Sequence, residues 1–160
     1  EQMLKALAYV HSCGVVHRDV KPENFLLESE DPSCLTLKLA DFGIAVPAGQ
    51  PPPDAAVQVH GSVPYMPPEA FAGVRGQPAR RTQTASDIWS CGVVIYVMLS
   101  GDLPYGEYIE AICSGQPPDF SGDAWQTVSA EAIDLICGLM NPNAEARWTA
   151  EQALAHAWFK

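Results

Sequence analysis

The chain has 160 residues, of which 48% are hydrophobic, and its mean hydropathy is −0.01. A single domain usually has about 100–200 residues, so this length suits one globular unit with a hydrophobic core. The formal net charge is −10 and the isoelectric point about 4.6. Nucleic-acid binding depends on clustered lysine and arginine, so this charge argues against it. An acidic surface instead favours basic peptides as partners.

The cysteine and apolar patterns give no sign of a disulfide framework, a metal site or a membrane anchor. The five cysteines form no C-x-x-C pair and no metal-binding spacing with the four histidines: Cys13, Cys34, Cys91, Cys113 and Cys137. An odd number without a visible signal peptide indicates reduced thiols. We therefore expect an intracellular location, cytoplasmic or alternatively nuclear. The longest apolar run, 88–99, is too short to span a bilayer, so no membrane contact is expected.

The first forty residues predict one helix and three short strands. The helix is indicated by residues spaced along one face, with Gly14 as its end: Met3, Leu4, Leu7, Ala8 and His11. It begins at residue 1 without a cap, which we interpret as a sign that the chain was cut from a longer one. Short strands are predicted at 15–16 and 25–27. A turn is expected at 31–33, and a strand with alternating leucines runs from 35 to 41.

Two acidic motifs accompany these strands. Residues 17–24 read H-R-D-V-K-P-E-N, and residues 41–43 read D-F-G. The first fits the catalytic-loop pattern H-R-D-L-x-x-x-N, with Val20 in the leucine position, and the second is a metal-binding motif. Each letter alone has an ordinary alternative as a turn or cap residue, but the joint pattern is rarely accidental. The chain resembles the C-terminal lobe of a Ser/Thr protein kinase, and residues 85–160 are most similar to the calcium/calmodulin-dependent and calcium-dependent kinases.

The resemblance implies a site for ATP, Mg²⁺ and a substrate hydroxyl. Asp19 would orient the hydroxyl and accept its proton, and Lys21 would stabilise the transferring phosphoryl group. Asn24, the third catalytic residue, and Asp41 would supply the hard oxygen ligands that Mg²⁺ prefers. Lys21, Glu23, Asn24 and Asp41 are together expected at the nucleotide. The lysine also indicates the Ser/Thr type of catalytic loop.

Residues 41–69 resemble the activation segment of this family. In such kinases Arg18 would pair with a phosphorylated residue of the segment, yet residues 44–61 contain no Ser, Thr or Tyr. We therefore expect activity not to require phosphorylation there. The Pro-rich stretch 47–56 is expected to be extended and mobile. His17 is expected to be a buried packing residue rather than an acid or base.

The end of this segment contains a further family motif. Residues 61–69 read G-S-V-P-Y-M-P-P-E, which resembles G-T-x-x-Y-x-A-P-E. The hydroxyl of Ser62 is expected on the substrate side, bridging Asp19 and Lys21, although an ordinary turn serine is the alternative. Pro67 replaces the usual alanine, which stiffens the backbone and removes a donor.

Two long-range structural contacts are also implied by the resemblance. Glu69 is expected to pair with Arg147, 78 residues further on, in a buried bidentate salt bridge. Asp87 is expected to accept backbone N–H groups of the catalytic loop. The alternatives are exposed charges for the pair and a simple first-turn acid for the aspartate.

The second half predicts a loop followed by helices. Residues 70–84 contain glycines, a proline and two arginines, which favours a loop. Trp125 is expected to anchor a later loop. The predicted helices are 87–101, apolar nearly all round and therefore buried; 108–114; one capped by Ser129 and ended by Asn141-Pro142; and one that starts with a capping box at 149–152 and reaches Ala157–Phe159. The expected fold is α+β and mainly helical, with short strands at the catalytic loop, and residues 1–160 form the C-lobe portion of a kinase domain.

Residues 1–160 contain no Gly-rich loop over ATP phosphates and no upstream Lys–Glu pair. We therefore expect the 160 residues alone to be nearly inert and to need an N-lobe. Glu23 has the position that, in basophilic members of the family, binds an Arg three residues before the acceptor; a solvated glutamate is the alternative. Two functions remain open: a basophilic Ser/Thr kinase portion, or an inert kinase-like module that binds partners. No calcium-binding EF-hand pattern occurs in the chain.

Overall fold

The computed structural model describes residues 1–29, 31, 35–49, 61–72, 75 and 84–160. Within these ranges lie five α-helices, four short strands and several 3₁₀ turns. The helices are α1 (Gln2–Ser12), α2 (Ala85–Ser100), α3 (Ile109–Ile112), α4 (Ala130–Leu139) and α5 (Ala150–Leu154). The strands are β1 (Val15–Val16), β2 (Phe25–Leu27), β3 (Leu37–Leu39) and β4 (Val46–Pro47). The 3₁₀ turns are Pro22–Asn24, Val63–Tyr65, Pro68–Phe71, Asp123–Thr127 and Ala157–Phe159. The expected α+β class with mainly helical content is confirmed.

The strands form two separate antiparallel pairs. In one pair, β2 lies beside β3 with Leu26 opposite Lys38. In the other, β1 lies beside β4 with Val16 opposite Val46. The strand predicted at 35–41 is shorter than expected, because the ladder with β2 covers Leu37–Leu39 only. The sequence did not predict β4, since a strand of two residues has no alternation to detect and Pro47 favours other structures.

Helix α2 is the centre of the hydrophobic core. Ten consecutive residues, Asp87–Tyr96, are buried, so the prediction of a helix that is apolar all round is confirmed. It begins two residues earlier than expected, at Ala85, and ends at Gly101, whose φ of 82° is left-handed and closes the helix. The apolar sides of α1 and α4 pack against α2 and contribute fully buried side chains: Leu4, Leu7, Leu135, Ile136 and Leu139.

The caps of the last two helices agree with the sequence, but the final helix is shorter than predicted. Ser129 accepts the N–H of Ala132 at the start of α4, and the capping box at 149–152 is present at the start of α5. Helix α5 ends at Leu154. His156 has an extended ψ of 151°, and its ring nitrogen accepts the N–H of Trp158, so Ala157–Phe159 forms a separate 3₁₀ turn. The predicted continuous helix to Phe159 is therefore wrong.

Other predicted elements are shorter in the structure or lie outside the described residues. The helix expected at 108–114 is a single turn, α3, and Trp125 is buried in its 3₁₀ turn as expected. Most of the turn at 31–33, the Pro-rich stretch from 50 to 56 and most of the loop 70–84 lie outside the described residues. None of the helices described is both long enough and apolar enough to cross a membrane.

Candidate active site

Asp19 lies in the loop between β1 and β2 and receives four hydrogen bonds on its carboxylate. Oδ1 accepts from the backbone N–H and the hydroxyl of Ser62, at 3.1 and 3.0 Å. Oδ2 accepts from Lys21 Nζ at 2.7 Å and from Asn24 Nδ2 at 3.2 Å. Burial alone raises the pKa of Asp19, but the hydrogen bonds from Lys21, Ser62 and Asn24 outweigh it and hold the pKa below its ordinary value. The carboxylate is therefore ionised and fixed in orientation.

Lys21 completes a triangle of polar groups with Asp19 and Ser62. Its ammonium also donates to Ser62 Oγ at 3.1 Å. The hydrogen bond to Asp19 raises the pKa of Lys21 against the smaller effect of burial, and the charges of Asp19, Glu23 and Asp41 act in the same direction. The ammonium thus remains protonated beside three carboxylates. Ser62 therefore bridges Asp19 and Lys21, as predicted.

Asn24 is held so that its amide group turns towards Asp19. Its Nδ2 donates to the backbone oxygen of Asp19 at 2.7 Å as well as to the carboxylate. These two bonds orient the amide group, and within the described residues its Oδ1 accepts no hydrogen bond. Asn24 is only 6% exposed. The side chain therefore offers one neutral oxygen ligand in a fixed direction.

Asp41 is brought to the same place by the strand pair β2–β3. The N–H of Ala40 donates to the backbone oxygen of Asn24 at 2.9 Å, which fixes the residue before Asp41 beside Asn24. Asp41 itself has a left-handed φ of 63°, which is uncommon outside glycine. Its carboxylate is exposed, and Oδ1 accepts the N–H of Gly43 at 3.2 Å.

Asn24 and Asp41 fit a Mg²⁺ ion in donor chemistry. Both present oxygen atoms, the ligands that this hard cation requires. Among the described residues, no group of three or more His, Cys, Asp or Glu side chains is arranged to hold a metal alone. Mg²⁺ at nucleotide sites is usually bound by one or two side chains together with phosphate oxygens and water. The two residues match that pattern.

A buried carboxylate on α2 supports the backbone of residues 17–24, the proposed catalytic loop. Asp87 accepts the N–H of His17 at 2.9 Å and the N–H of Arg18 at 2.8 Å, one on each oxygen. His11 Nε2 of α1 lies 2.9 Å from the same carboxylate. Asp87 is 1% exposed, and Arg18 has a left-handed φ of 73°. Asp87 thus fixes the backbone of this loop, in which Arg18 has an unusual conformation.

His17 connects the catalytic loop with the D-F-G motif. It is fully buried, and its Nε2 lies 2.9 Å from the backbone oxygen of Ala40. Its Nδ1 accepts the N–H of Asp19 at 3.3 Å, and its ring meets Phe42 edge-on at 4.8 Å. Since both ring nitrogens are occupied inside the protein, His17 has no free nitrogen with which to act as an acid or base.

Glu69 and Arg147 form the expected bidentate pair, with distances of 2.7 and 3.0 Å. The arginine side chain is completely buried. It also donates to the backbone oxygens of Ala85 and Asn141 and lies over the ring of Trp89 at 5.1 Å. The pair joins segments that lie 78 residues apart in the sequence. Pro67 does not prevent the local turn, which starts directly after it at Pro68.

Glu23 is not part of the polar cluster around Asp19. It is exposed and makes no hydrogen bond within the described residues. Burial is the main cause of the raised pKa of Tyr65, and the charge of Glu23 adds to it. The carboxylate of Glu23 is therefore close enough for its charge to act on the hydroxyl group of Tyr65.

Two residues that support the site were missed in the sequence. His11 looked like one more member of the apolar face of α1, and its contact with Asp87 spans 76 residues. Gly61 has a φ of 109°, and a Cβ there would lie 2.7 Å from the backbone oxygen of Arg18. The signal for Gly61 in the sequence was its position directly before Ser62.

The family model of the protein kinase domain matches residues 1–159. The chain belongs to the protein kinase domain family. This kinase chain is 41% identical over 155 residues to calcium-dependent protein kinase 34 of Arabidopsis thaliana, with 94% of the chain and 28% of that protein covered. It is 37% identical to a putative ribosomal protein S6 kinase alpha-2 of Caenorhabditis elegans, with 99% of the chain and 22% of that protein covered. It is 38% identical to a probable myosin light chain kinase of Dictyostelium discoideum, with 99% of the chain and 50% of that protein covered.

The kinase chain thus spans half or less of the length of these relatives. The resemblance to Ser/Thr protein kinases, with calcium-dependent kinases among the relatives, is confirmed.

Proposed function

We propose that the chain is the C-lobe portion of a Ser/Thr protein kinase domain, with residues 41–69 as its activation segment. It would transfer the γ-phosphoryl group of ATP to a serine or threonine hydroxyl of a protein. One observation carries the proposal: Lys21, Ser62 and Asn24 all donate to the carboxylate of Asp19. A carboxylate that only capped a turn would not need three converging side-chain donors.

Asp19 is the group that handles the substrate hydroxyl. The hydroxyl oxygen attacks the γ-phosphorus, the bond from that phosphorus to the β–γ bridging oxygen breaks, and the hydroxyl proton passes to the carboxylate. The lowered pKa of Asp19 keeps it ionised and ready to accept a hydrogen bond from the hydroxyl. Such a carboxylate is a weak base, so it orients the hydroxyl first and takes the proton as the phosphoryl group transfers, in keeping with a loose transition state.

Lys21 and the two oxygen ligands act on the phosphates. The ammonium of Lys21, bound to Asp19 and Ser62, is a fixed positive charge beside the position of the transferring group. Asn24 and Asp41 would hold Mg²⁺, which when bound neutralises charge on the phosphate oxygens. Preorganised charge of this kind needs no rearrangement during the reaction.

Residues 1–160 lack the Gly-rich loop and the Lys–Glu pair that cover ATP in this family. Removing even one preorganised donor from a catalytic site costs roughly 10²–10³ in rate. We therefore expect the 160 residues alone to transfer phosphate very slowly and to bind Mg·ATP weakly, and we expect activity when an N-lobe is present.

The acidic balance of the chain and the exposed carboxylate of Glu23 favour basic peptides as substrates. The test is a peptide kinase assay with the protein in its natural length, not phosphorylated beforehand, and Mg·ATP. The peptides carry Ser, Thr or Tyr as acceptor, each with Arg or Ala three residues before it. We expect transfer to Ser and Thr, with a lower KM for the Arg peptides.

A Glu23→Gln variant should lose the preference for Arg and keep kcat. A matched control is Glu28→Gln, an exposed glutamate paired with Lys38 on the β2–β3 side. Unchanged preference in Glu23→Gln would remove the basophilic part of the proposal. No transfer to any peptide would favour the alternative, a kinase-like binding module. That alternative does not explain why three side-chain donors converge on Asp19.

A further inference from the structure

Among the described residues, no other strand pairs with one edge of the strand that leads to Asp41. On the inner edge of β3, Glu28 N–H donates to the backbone oxygen of Thr36 at 2.8 Å, and Ala40 N–H donates to that of Asn24 at 2.9 Å. Backbone groups of successive residues in a strand point to opposite edges. The N–H and C=O groups of Leu35 and Leu37 therefore point away from β2. An open edge of this kind needs other partners.

Gln2 supplies those partners with its side chain. Its Nε2 donates to the backbone oxygen of Leu35 at 2.6 Å, and its Oε1 accepts the N–H of Leu37 at 2.8 Å. A neighbouring parallel strand binds such a pair of groups with the N–H and the C=O of one of its residues. A primary amide carries the same donor and acceptor at one end of a side chain. Gln2 thus has the chemistry of a one-residue third strand.

We propose that Gln2 is a positioning residue for Asp41. Its amide holds the outer edge of β3, and β3 in turn places Asp41 beside Asn24. The beginning of the strand is held by Gln2. Its far end is held at Ala40, whose N–H and C=O bind Asn24 and His17. A two-stranded sheet has little stability of its own, so the outer contact has a large share in fixing the strand. The consequence for nucleotide binding depends on the proposed kinase function, whereas the effect on the strand does not.

Helix α1 then aligns both acidic motifs. Gln2 in its first turn holds the strand before D-F-G, and His11 in its last turn holds Asp87, which carries the catalytic loop. The two residues are about 13 Å apart along the helix, from the usual rise of about 1.5 Å per residue. A rigid helix between the two contacts sets the distance between the strand and the loop.

The test is amide hydrogen exchange by NMR on the chain with Gln2→Met, which keeps the length of the side chain and removes both hydrogen bonds. Exchange at Leu37 should be faster by roughly tenfold, as expected for an amide that loses its protecting bond. The same variant should speed exchange at Ala40 and Gly43 several-fold. Amides in the middle of α2 should be unchanged, which shows that the fold is intact. A Lys5→Met control, on an exposed position of the same helix, should change none of these.

A second variant, Gln2→Glu, separates the two bonds. Its carboxylate can accept from Leu37 but cannot donate to Leu35, so Leu37 should keep part of its protection while Ala40 and Gly43 exchange faster than in the wild type. Unchanged exchange at Leu37 in Gln2→Met would overturn the contact. Faster exchange at Leu37 with wild-type exchange at Ala40 and Gly43 would reduce Gln2 to a local cap and overturn its positioning role.

In the natural-length kinase, Gln2→Met should raise the KM for Mg·ATP several-fold and leave the KM for the peptide unchanged. A peptide KM that rises equally would contradict a role through Asp41. If the wild type itself has no kinase activity, the proposed function fails, and the exchange experiment still decides the role of Gln2.

Discussion

At the scale of single residues, the pKa of Asp19 is set by three neighbours that come from two parts of the chain. Lys21 and Asn24 follow within five residues, but Ser62 belongs to the proposed activation segment, 43 residues away. Ser62 donates twice to the carboxylate, through its backbone and its hydroxyl. Ser62 thus connects residues 41–69 directly to the proposed base, and loss of its hydrogen bond would raise the pKa of Asp19.

The first prediction concerns this connection. Ser62→Ala removes one donor to Asp19, so the pKa of Asp19 should rise towards the ordinary value for aspartate, about 3.9. A carboxyl group with a lowered folded-state pKa stabilises the fold above its unfolded pKa, and this stabilisation is lost as the pH falls. The variant should therefore be less sensitive to acid through Asp19. NMR titration of the Asp19 side-chain carbon measures the shift.

Another aspartate–serine pair provides the control for this titration. The pKa of Asp119 is lowered mainly by a hydrogen bond from the Ser121 side chain, and further by one from the Ser121 backbone N–H. Ser121→Ala should raise the pKa of Asp119 and leave that of Asp19 unchanged. An Asp19 titration that is identical in the wild type and Ser62→Ala would show that the hydroxyl does not stabilise the carboxylate.

At the scale of elements, the position of the catalytic loop depends on how closely α1 and α4 approach α2. Gly92 lies where α2 meets the end of α4: a Cβ there would lie 2.6 Å from Met140 Cγ and 2.9 Å from Leu139 Cβ. The two helices can pack this closely only because Gly92 has no side chain. Asp87, which holds the catalytic loop, lies on the same helix less than two turns before it.

Gly92→Ala should therefore destabilise the fold by about 1–3 kcal/mol, the usual cost of an extra methyl group in a well-packed core. Urea denaturation followed by circular dichroism measures the change. Gly122→Ala is a suitable control, because a Cβ there would have its nearest contact at 3.9 Å, to Trp125. Equal stability of Gly92→Ala and the wild type would mean that the α2–α4 contact is looser than in the structure.

The sequence predicted elements well where the signal was local. The apolar run of α2, the serine cap of α4 and the capping box of α5 need only neighbouring residues. The break after Leu154 was missed, because it depends on His156 binding the backbone of Trp158 instead of continuing the helix. Similarly, the octet 17–24 contained Asp19, Lys21 and Asn24 together. The contacts of Gln2 and His11 span 33 to 76 residues and left no local pattern.

At the scale of the whole molecule, one buried ion pair joins three segments. Arg147, between α4 and α5, binds Glu69 in the 3₁₀ turn Pro68–Phe71 and the backbone of Ala85 at the start of α2. The arginine side chain is completely buried, while the glutamate is 14% exposed. Removal of one partner leaves a mostly buried charge without its counter-ion, which is far more costly than the loss of an exposed pair.

We predict that Arg147→Met destabilises the fold by about 3–5 kcal/mol. The double variant Glu69→Gln/Arg147→Met should be more stable than the single one, since no charge remains unpaired. The control is Lys38→Met, which breaks an exposed pair with Glu28 and should cost less than about 1 kcal/mol. Denaturation midpoints of the four proteins measure this. Similar losses for Arg147→Met and Lys38→Met would contradict the structural role of the pair.

The most direct test of the account is single-turnover phosphoryl transfer from radiolabelled Mg·ATP to a serine peptide, with the protein in its natural length. Asp19→Asn should be slower than the wild type by at least ~10²-fold, the usual contribution of a positioned acid–base group. Asp123→Asn, an exposed aspartate bound to Gln126 far along the chain, should react at the wild-type rate. Equal rates for Asp19→Asn and the wild type would contradict the central claim that the carboxylate held by Lys21, Ser62 and Asn24 is the base of a kinase.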